Sequence, residues 1–227
     1  MKVYGKNVFN EVKNNLSSIR KVYISNNFND KDIIKFIQDN KISYSTIDHR
    51  KMDSMVDGKH QGIIIDINEY EYVDYHSMLE DRVVLMLDHL EDPHNFGAII
   101  RTCEAAGIKS IIIPKDRSVT VNSTVMKTSV GALENVNIAM VNNLVNVIKD
   151  FQKNGYFVYS ADMGGDNYKD IDFGDKVVLV IGNEGSGISR LVRDNSDQIV
   201  AIPQFGHVNS LNASVAAAIL IYGIVNK

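Results

Sequence analysis

The chain has 227 residues, 44% of them hydrophobic, and carries 24 Lys and Arg against 28 Asp and Glu. That length and apolar content suffice for one large domain or two modest ones with a sizeable core, and a net charge of −4 weighs against a protein that coats nucleic acid through a general basic excess while leaving room for a local basic patch. A single cysteine, Cys103, excludes an internal disulfide and a cysteine-built zinc site, and reads as a small core residue.

Residues 1–67 alternate short units. A polar helix starts near Asn7, and a strand follows at Lys21 to Ile24. Asp30 is placed to cap a helix reaching Asp39, with Ile33, Ile34 and Ile37 as its apolar stripe. Strands at Ser43 to Ile47 and Gly62 to Ile67 complete a small α/β layer. Residues 68–81 (N-E-Y-E-Y-V-D-Y-H-S-M-L-E-D) hold no sustained apolar period and read as a linker. From residue 82 onward, strands at Val83 to Leu87, Ser110 to Ile113, Val136 to Met140, Phe157 to Ser160, Val177 to Ile181 and Ile199 to Ile202 alternate with helix-length segments. This rhythm predicts a mostly parallel sheet covered by helices. An apolar, alanine-rich helix from Ala213 to Val225 suits either a core or a subunit interface. No apolar run approaches the roughly 20 residues of a membrane span, and the first ten residues lack a leader pattern, so the cytoplasm is the expected compartment.

Three strand-end loops carry polar residues, and in open parallel sheets such loops bind ligands. The first, Asp92 to Arg101, enters a helix with the stripe Phe96, Ile99, Ile100 and Cys103, and Arg101 lies on its flank. Asn95 reads there either as an N-cap or as a site residue, and Arg101 either as a surface ion pair or as a functional cation. The second, I-G-N-E-G-S-G (181 to 187), is glycine-rich but carries Glu184 where a phosphate loop needs bare amides and a lysine. Its ligand is therefore cationic or hydroxyl-rich, unless Gly185 and Gly187 serve only a tight turn. The third runs from Ile202 to Asn212, with Ser210 or Asn212 as possible caps for the last helix.

N-F-G-A-I-I-R (95 to 101), I-G-N-E-G-S-G-I (181 to 188) and I-P with S-L-N-A-S (202 to 214) resemble, in order and spacing, the three motifs of the SpoU (TrmH-like) branch of the SPOUT RNA 2′-O-ribose methyltransferases. V-Y-G-K-N-V at Val3 to Val8 and H-Q-G at His60 to Gly62 resemble the small L30e-like RNA-binding domain that precedes the catalytic domain in rRNA-modifying members. The resemblance implies an α/β catalytic domain over 82–227 with a mostly parallel sheet, helices on both faces and a trefoil knot, and a substrate-binding domain over 1–67. It implies S-adenosylmethionine as cofactor, held around Ile181, Gly182, Asn183, Ile202 and Leu211, and a catalytic set of Asn95, Arg101, Glu184, Ser210 and Asn212. It further implies a homodimer and an RNA partner, with a guanosine of 23S ribosomal RNA as the expected acceptor. A transfer RNA acceptor and a non-catalytic RNA-binding protein of the same fold are the alternatives. No G-x-G-x-x-G follows the first strand, which argues against a dinucleotide enzyme. His89 and His94 with Asp92 lack a third clear ligand, so no metal is expected, and no membrane. His60 and His207 read as structural or RNA-contacting, and Arg20, Lys21, Arg50, Lys51 and Lys59 as candidate phosphate contacts.

Overall fold

The computed structural model describes residues 1–207 and 210–226, and the chain divides into two compact units. The first comprises Met1–Glu71 and Val121–Gly131, and the second Tyr72–Thr120 and Ala132–Lys227.

In the first unit, β1 (Lys2–Tyr4), β2 (Ile19–Ser25), β3 (Tyr44–Ile47) and β4 (Ile63–Ile67) form a sheet of order β1-β4-β2-β3. Strands β2 and β3 run parallel, while β4 is antiparallel to both β1 and β2. Ile63, Ile64 and Ile65 of β4 are all 0% exposed, so this strand is covered on both faces. Helices α1 (Lys6–Val12) and α2 (Lys31–Asp39) bury Phe9, Val12, Ile33 and Ile37 against it. Asp30 caps α2 as expected, its carboxylate accepting from the Ile33 amide at 3.3 Å. A short helix, α3 (His49–Asp53), escaped sequence reading because five residues are too few to show a helical period.

His60 is buried in this unit at 2% exposure. Its Nδ1 accepts from the Gly62 amide at 3.0 Å and its Nε2 faces Asp53 Oδ1 at 3.0 Å. Gly62 is required here: its φ is +79° and an added methyl would lie 2.8 Å from Ser25 Oγ. The H-Q-G motif is thus a turn staple.

In the second unit, β5 (Val83–Asp88), β6 (Ser110–Pro114), β7 (Asn137–Val141), β8 (Phe157–Asn167), β9 (Val177–Gly182) and β10 (Gln198–Ala201) form a six-stranded sheet of order β10-β8-β9-β5-β6-β7. Every pair in it is parallel. Val84, Met86, Val178 and Val180 pack on one face against Val147, Ile148 and Phe151 of α6 (Leu144–Lys153) and Val192 of α7 (Arg190–Asn195). Alternate residues, Leu85, Leu87, Leu179 and Ile181, point to the other face, where α8 (Ala213–Val225) packs on β9 and on α4 (Pro93–Ala105). No helix among the described residues is long and apolar enough to cross a membrane.

Two boundaries differ from expectation. The supposed linker 68–81 contributes its residues from Tyr72 onward to the second unit. The Val73 amide bonds to Ile138 O at 3.0 Å, Tyr75 Oη donates to Asp150 at 2.8 Å, and Met78 is 1% exposed. Without a repeating apolar period, these anchors act singly and escape a periodicity reading. Conversely α5 (Ser123–Ser129) with its flanks belongs to the first unit, where Met126 packs on the core.

Candidate functional site

The functional candidates lie at the carboxyl ends of the parallel strands. Strand β5 ends on Asp88, a carboxylate with a 0% exposed side chain. It accepts from the Ser189 amide at 2.6 Å and from His89 Nδ1 at 2.6 Å, so one buried oxygen pair ties the end of β5 to the segment after β9. Burial of a carboxylate is tolerated only with such donors, which makes the junction rigid.

The glycine-rich loop is closed on itself. Asn183 and Gly187 exchange both backbone hydrogen bonds at 3.0 Å, and Asn183 Oδ1 accepts from the Gly185 amide at 2.8 Å and the Ser186 amide at 3.1 Å. The amides that would cradle a phosphate are therefore already engaged by the loop's own asparagine. Gly187 takes φ +67°, as a tight turn demands, whereas Gly185 is absent from the left-handed region. Gly182 is constrained by space: a methyl group there would lie 2.3 Å from the Gly187 carbonyl carbon.

Glu184 reaches across to the first loop. Its carboxylate accepts from Asn95 Nδ2 at 3.0 Å and from the amides of Asp92 and Glu91 at 3.3 and 3.4 Å, which places a negative charge at the N-terminus of α4. Asn95 Oδ1 in turn accepts from Asn212 Nδ2 at 2.9 Å. Asn212 Oδ1 caps α8 by accepting from the Ser214 amide at 2.9 Å. One polar chain, Glu184 to Asn95 to Asn212, thus joins the three loops. Asn95 is not the N-cap of α4, because Asp92 fills that role through the His94 amide at 2.8 Å with Pro93 behind it.

Beside this chain lies a cavity of about 310 Å³, near the lower end of the roughly 300–1,000 Å³ typical of small-molecule sites. Ile181, Gly182, Asn183 and Glu184 line one side, and Ile202, Ser210 and Leu211 another. Asn95, Asn212 and Arg101 do not line it; the first two brace its walls. Arg101 is exposed on α4, and its guanidinium makes no ion pair or hydrogen bond among the described residues, which removes the surface-ion-pair reading.

Sequence reading missed the third wall, Ala161, Asp162 and Met163. Strand β8 pairs with β10 through Ser160↔Ile199 and resumes at Asp166↔Val200, so the intervening residues bulge out beside the cavity. The polar run A-D-M-G-G reads as a strand end, although Gly165 is a usable signal: a methyl group there would lie 2.5 Å from Ile199 O. Asp162 is held by Arg193. Asp88 was missed as well, because the strand reads as ending at Leu87 and a single carboxylate beyond it carries no pattern.

Residues 82–222 match the SpoU rRNA Methylase family, and residues 2–73 match a domain described as RNA 2′-O ribose methyltransferase substrate binding. A protein of Staphylococcus saprophyticus named as a TrmH family tRNA/rRNA methyltransferase is 41% identical over 204 residues, covering 86% of this chain and 82% of its own. The fold is similar to the SpoU methyltransferase AviRb from Streptomyces viridochromogenes, solved in complex with AdoMet, at TM-score 0.83 and 20% identity over 100% of this chain and 89% of that one. It is also similar to an RNA methyltransferase of the TrmH family from Porphyromonas gingivalis, at TM-score 0.77 and 25% identity over 98% and 88% of the two chains.

Proposed function

The chain belongs to the SpoU rRNA Methylase family, and from that premise we propose that it transfers the methyl group of S-adenosylmethionine to a ribose 2′-hydroxyl of structured RNA, a guanosine of 23S ribosomal RNA. The observation that carries this reading is the Glu184–Asn95–Asn212 chain, which gathers three separate motifs beside one cavity.

The cavity's chemistry fits the donor. Its lining is apolar at Ile181, Leu211 and Leu220, and the glycine loop's spent amides suit a sulfonium better than a phosphate, while Asp162 and Glu184 on its walls are held by Arg193 and by the α4 N-terminus. When bound, S-adenosylmethionine supplies a methyl group on a cationic sulfur. The backbone around Gly182, Asn183, Ile202 and Leu211 would hold it, with Ser210 on the same cavity wall. Glu184, Asn95 and Asn212 fix the walls.

The free guanidinium of Arg101 anchors the acceptor's phosphate and orients its 2′-hydroxyl. A guanidinium stays protonated in proteins and is a poor proton acceptor, so we assign positioning and leave the hydroxyl's proton to solvent. Positioning alone can offset about 7–11 kcal/mol of barrier. The substrate-binding match over residues 2–73 supports the ribose oxygen, and the match to the SpoU rRNA Methylase family supports ribosomal RNA. A homodimer in the cytoplasm completes the reading, supported by exposed Val215 and Tyr222 on the otherwise apolar α8, and the family implies a trefoil knot in the second unit.

The test is to incubate the chain with methyl-labelled S-adenosylmethionine and unmodified transcripts of ribosomal and transfer RNA, then map alkali-resistant positions. Label at one alkali-resistant guanosine of 23S RNA is expected. Label confined to transfer RNA would move the acceptor, and label that stays alkali-sensitive everywhere would remove the ribose assignment.

A further inference from the structure

A second cleft, of about 240 Å³, lies in the large unit on the other side of the glycine loop. Three strand-end segments form it: Asp88 to Glu91 after β5, Arg117 after β6, and Asn183 to Ser189 after β9. Its position follows from topology. From β5 the chain proceeds outward through β6 to β7, then crosses to the other side of the sheet to lay down β8 and β9. Strands β5 and β9 are neighbours, with Asp88 opposite Gly182, and they flank the point where the strand order reverses. Open α/β sheets bind ligands outside the carboxyl ends of the strands at that point.

Two residues there are held in unfavourable backbone geometry. His89 has φ 58° and Arg117 has φ 51°, a region that side-chain-bearing residues seldom adopt. Each is fixed by its surroundings. His89 Nδ1 is bound by the buried Asp88 carboxylate, and the loop bearing Arg117 is pinned where the Val119 amide and Ser118 Oγ donate to Leu90 O at 2.7 and 3.2 Å. Asp88 sets the imidazole tautomer, so Nε2 is the nitrogen left to accept a hydrogen bond. Neither Nε2 of His89 nor the guanidinium of Arg117 has a partner among the described residues. The Ser186 and Ser189 segments add polar groups on the facing wall, and the carboxylate of Glu91 at the edge disfavours a free polyanion.

We infer that this cleft binds one ribose-phosphate unit of the acceptor RNA strand, with Arg117 on the phosphodiester and His89 Nε2 accepting from a 2′-hydroxyl. The inference rests on the RNA methyltransferase reading and names where a neighbouring nucleotide is held. The unit is not the methylated one: methyl transfer needs the reacting atoms about 3–3.5 Å apart, and the Asn183–Gly187 loop stands between this cleft and the donor cavity. Recognition of a 2′-hydroxyl is also what distinguishes RNA from DNA at such a site.

The test compares the full chain with Arg117→Gln and His89→Asn, the latter because asparagine tolerates the left-handed backbone. Binding of unmodified 23S ribosomal RNA transcripts, and of single-stranded DNA of the same sequence, is measured at several salt concentrations. S-adenosylmethionine affinity serves as the folding control. Arg117→Gln is expected to weaken RNA binding about five- to tenfold and to lower the slope of log affinity against log salt by about one. His89→Asn is expected to weaken RNA binding severalfold and leave DNA binding unchanged. Both should raise KM for RNA with kcat and donor affinity preserved. Wild-type RNA affinity and salt slope in both variants would overturn the inference, as would a loss confined to kcat. If the wild type transfers no methyl to any RNA while the variants still show these binding effects, the cleft stands and the enzymatic reading falls.

Discussion

Each unit of the chain builds a polar network around one buried side chain, His60 in the small unit and Asn95 in the large one, and the two differ in reach. In the small unit, Asp53, His60 and Gly62 are linked across sequence separations of 7 and 2 residues. In the large unit, Glu184, Asn95 and Asn212 are linked across separations of 89 and 117. The local network secures one turn, between α3 and the start of β4. The long-range one joins three strand-end loops to one another, and polar groups are placed that way where geometry has to be exact for chemistry.

The largest effect should come from a residue in neither network. Arg101 on α4 has no hydrogen-bond or ion-pair partner among the described residues, while its neighbours Phe96, Ile99, Ile100 and Cys103 are all 0% exposed. On the proposed reading Arg101→Ala lowers turnover by about 10²-fold or more and leaves S-adenosylmethionine affinity nearly unchanged by calorimetry. A large loss of donor affinity would mean that the arginine belongs to the frame. Next comes Gly182→Ala, whose methyl group meets the Gly187 backbone at 2.3 Å. Because both partners are backbone, the loop must open, and donor binding should be lost along with about 1–3 kcal/mol of stability, read by chemical denaturation.

A smaller and more diagnostic effect is expected from the network itself. Glu184→Gln keeps one oxygen for Asn95 but removes the charge at the α4 N-terminus, at a cost of about 0.3–1 kcal/mol. Asn95→Ala leaves Glu184 and Asn212 without their shared partner, at a cost of about 1–3 kcal/mol. The double variant should cost less than the sum of the two. Strict additivity in that cycle, measured by denaturant unfolding, would show that the chain of hydrogen bonds is not one unit.

The same contrast explains what could be read before the structure. The β-branched runs gave five of the large sheet's strands nearly at their observed bounds, because fully buried parallel strands advertise themselves as apolar blocks. The three-residue β1 and five-residue α3 were too short for any period to show. The continuation of β8 past Ser160 was hidden because Ala161 to Gly165 leaves the ladder and carries a polar sequence. At the site, the motifs give candidate residues but not their partners. Asn95 read either as a cap or as a site residue until Asp92 and Pro93 took the cap, and Glu184 read as a ligand-loop oddity until its bonds to another helix's entry were known. Sequence separation is what conceals such pairings. The Asn183 side chain, which satisfies amides two and three residues ahead, is the kind of contact local reasoning can find.

The smallest functional effect is expected in the small unit, and it separates two readings of one cluster. His49, Asp53 and His60 place three possible metal-ligand atoms within 4.8 Å of one another. The Gly62 amide, however, donates to His60 Nδ1, which keeps the ring's proton on Nε2, the atom that faces Asp53 and would have to bind the ion. A metal there would require stripping that proton from an imidazole whose other nitrogen is already an acceptor, so the cluster is a hydrogen-bonded staple. His60→Ala should therefore cost about 1–3 kcal/mol of stability and leave donor affinity untouched. Zinc or a chelator should leave the melting temperature of the wild type where it was. A zinc-dependent rise in melting temperature that disappears in His60→Ala would turn the staple into a metal site, and with it the contrast between a local structural network and a long-range functional one would no longer hold.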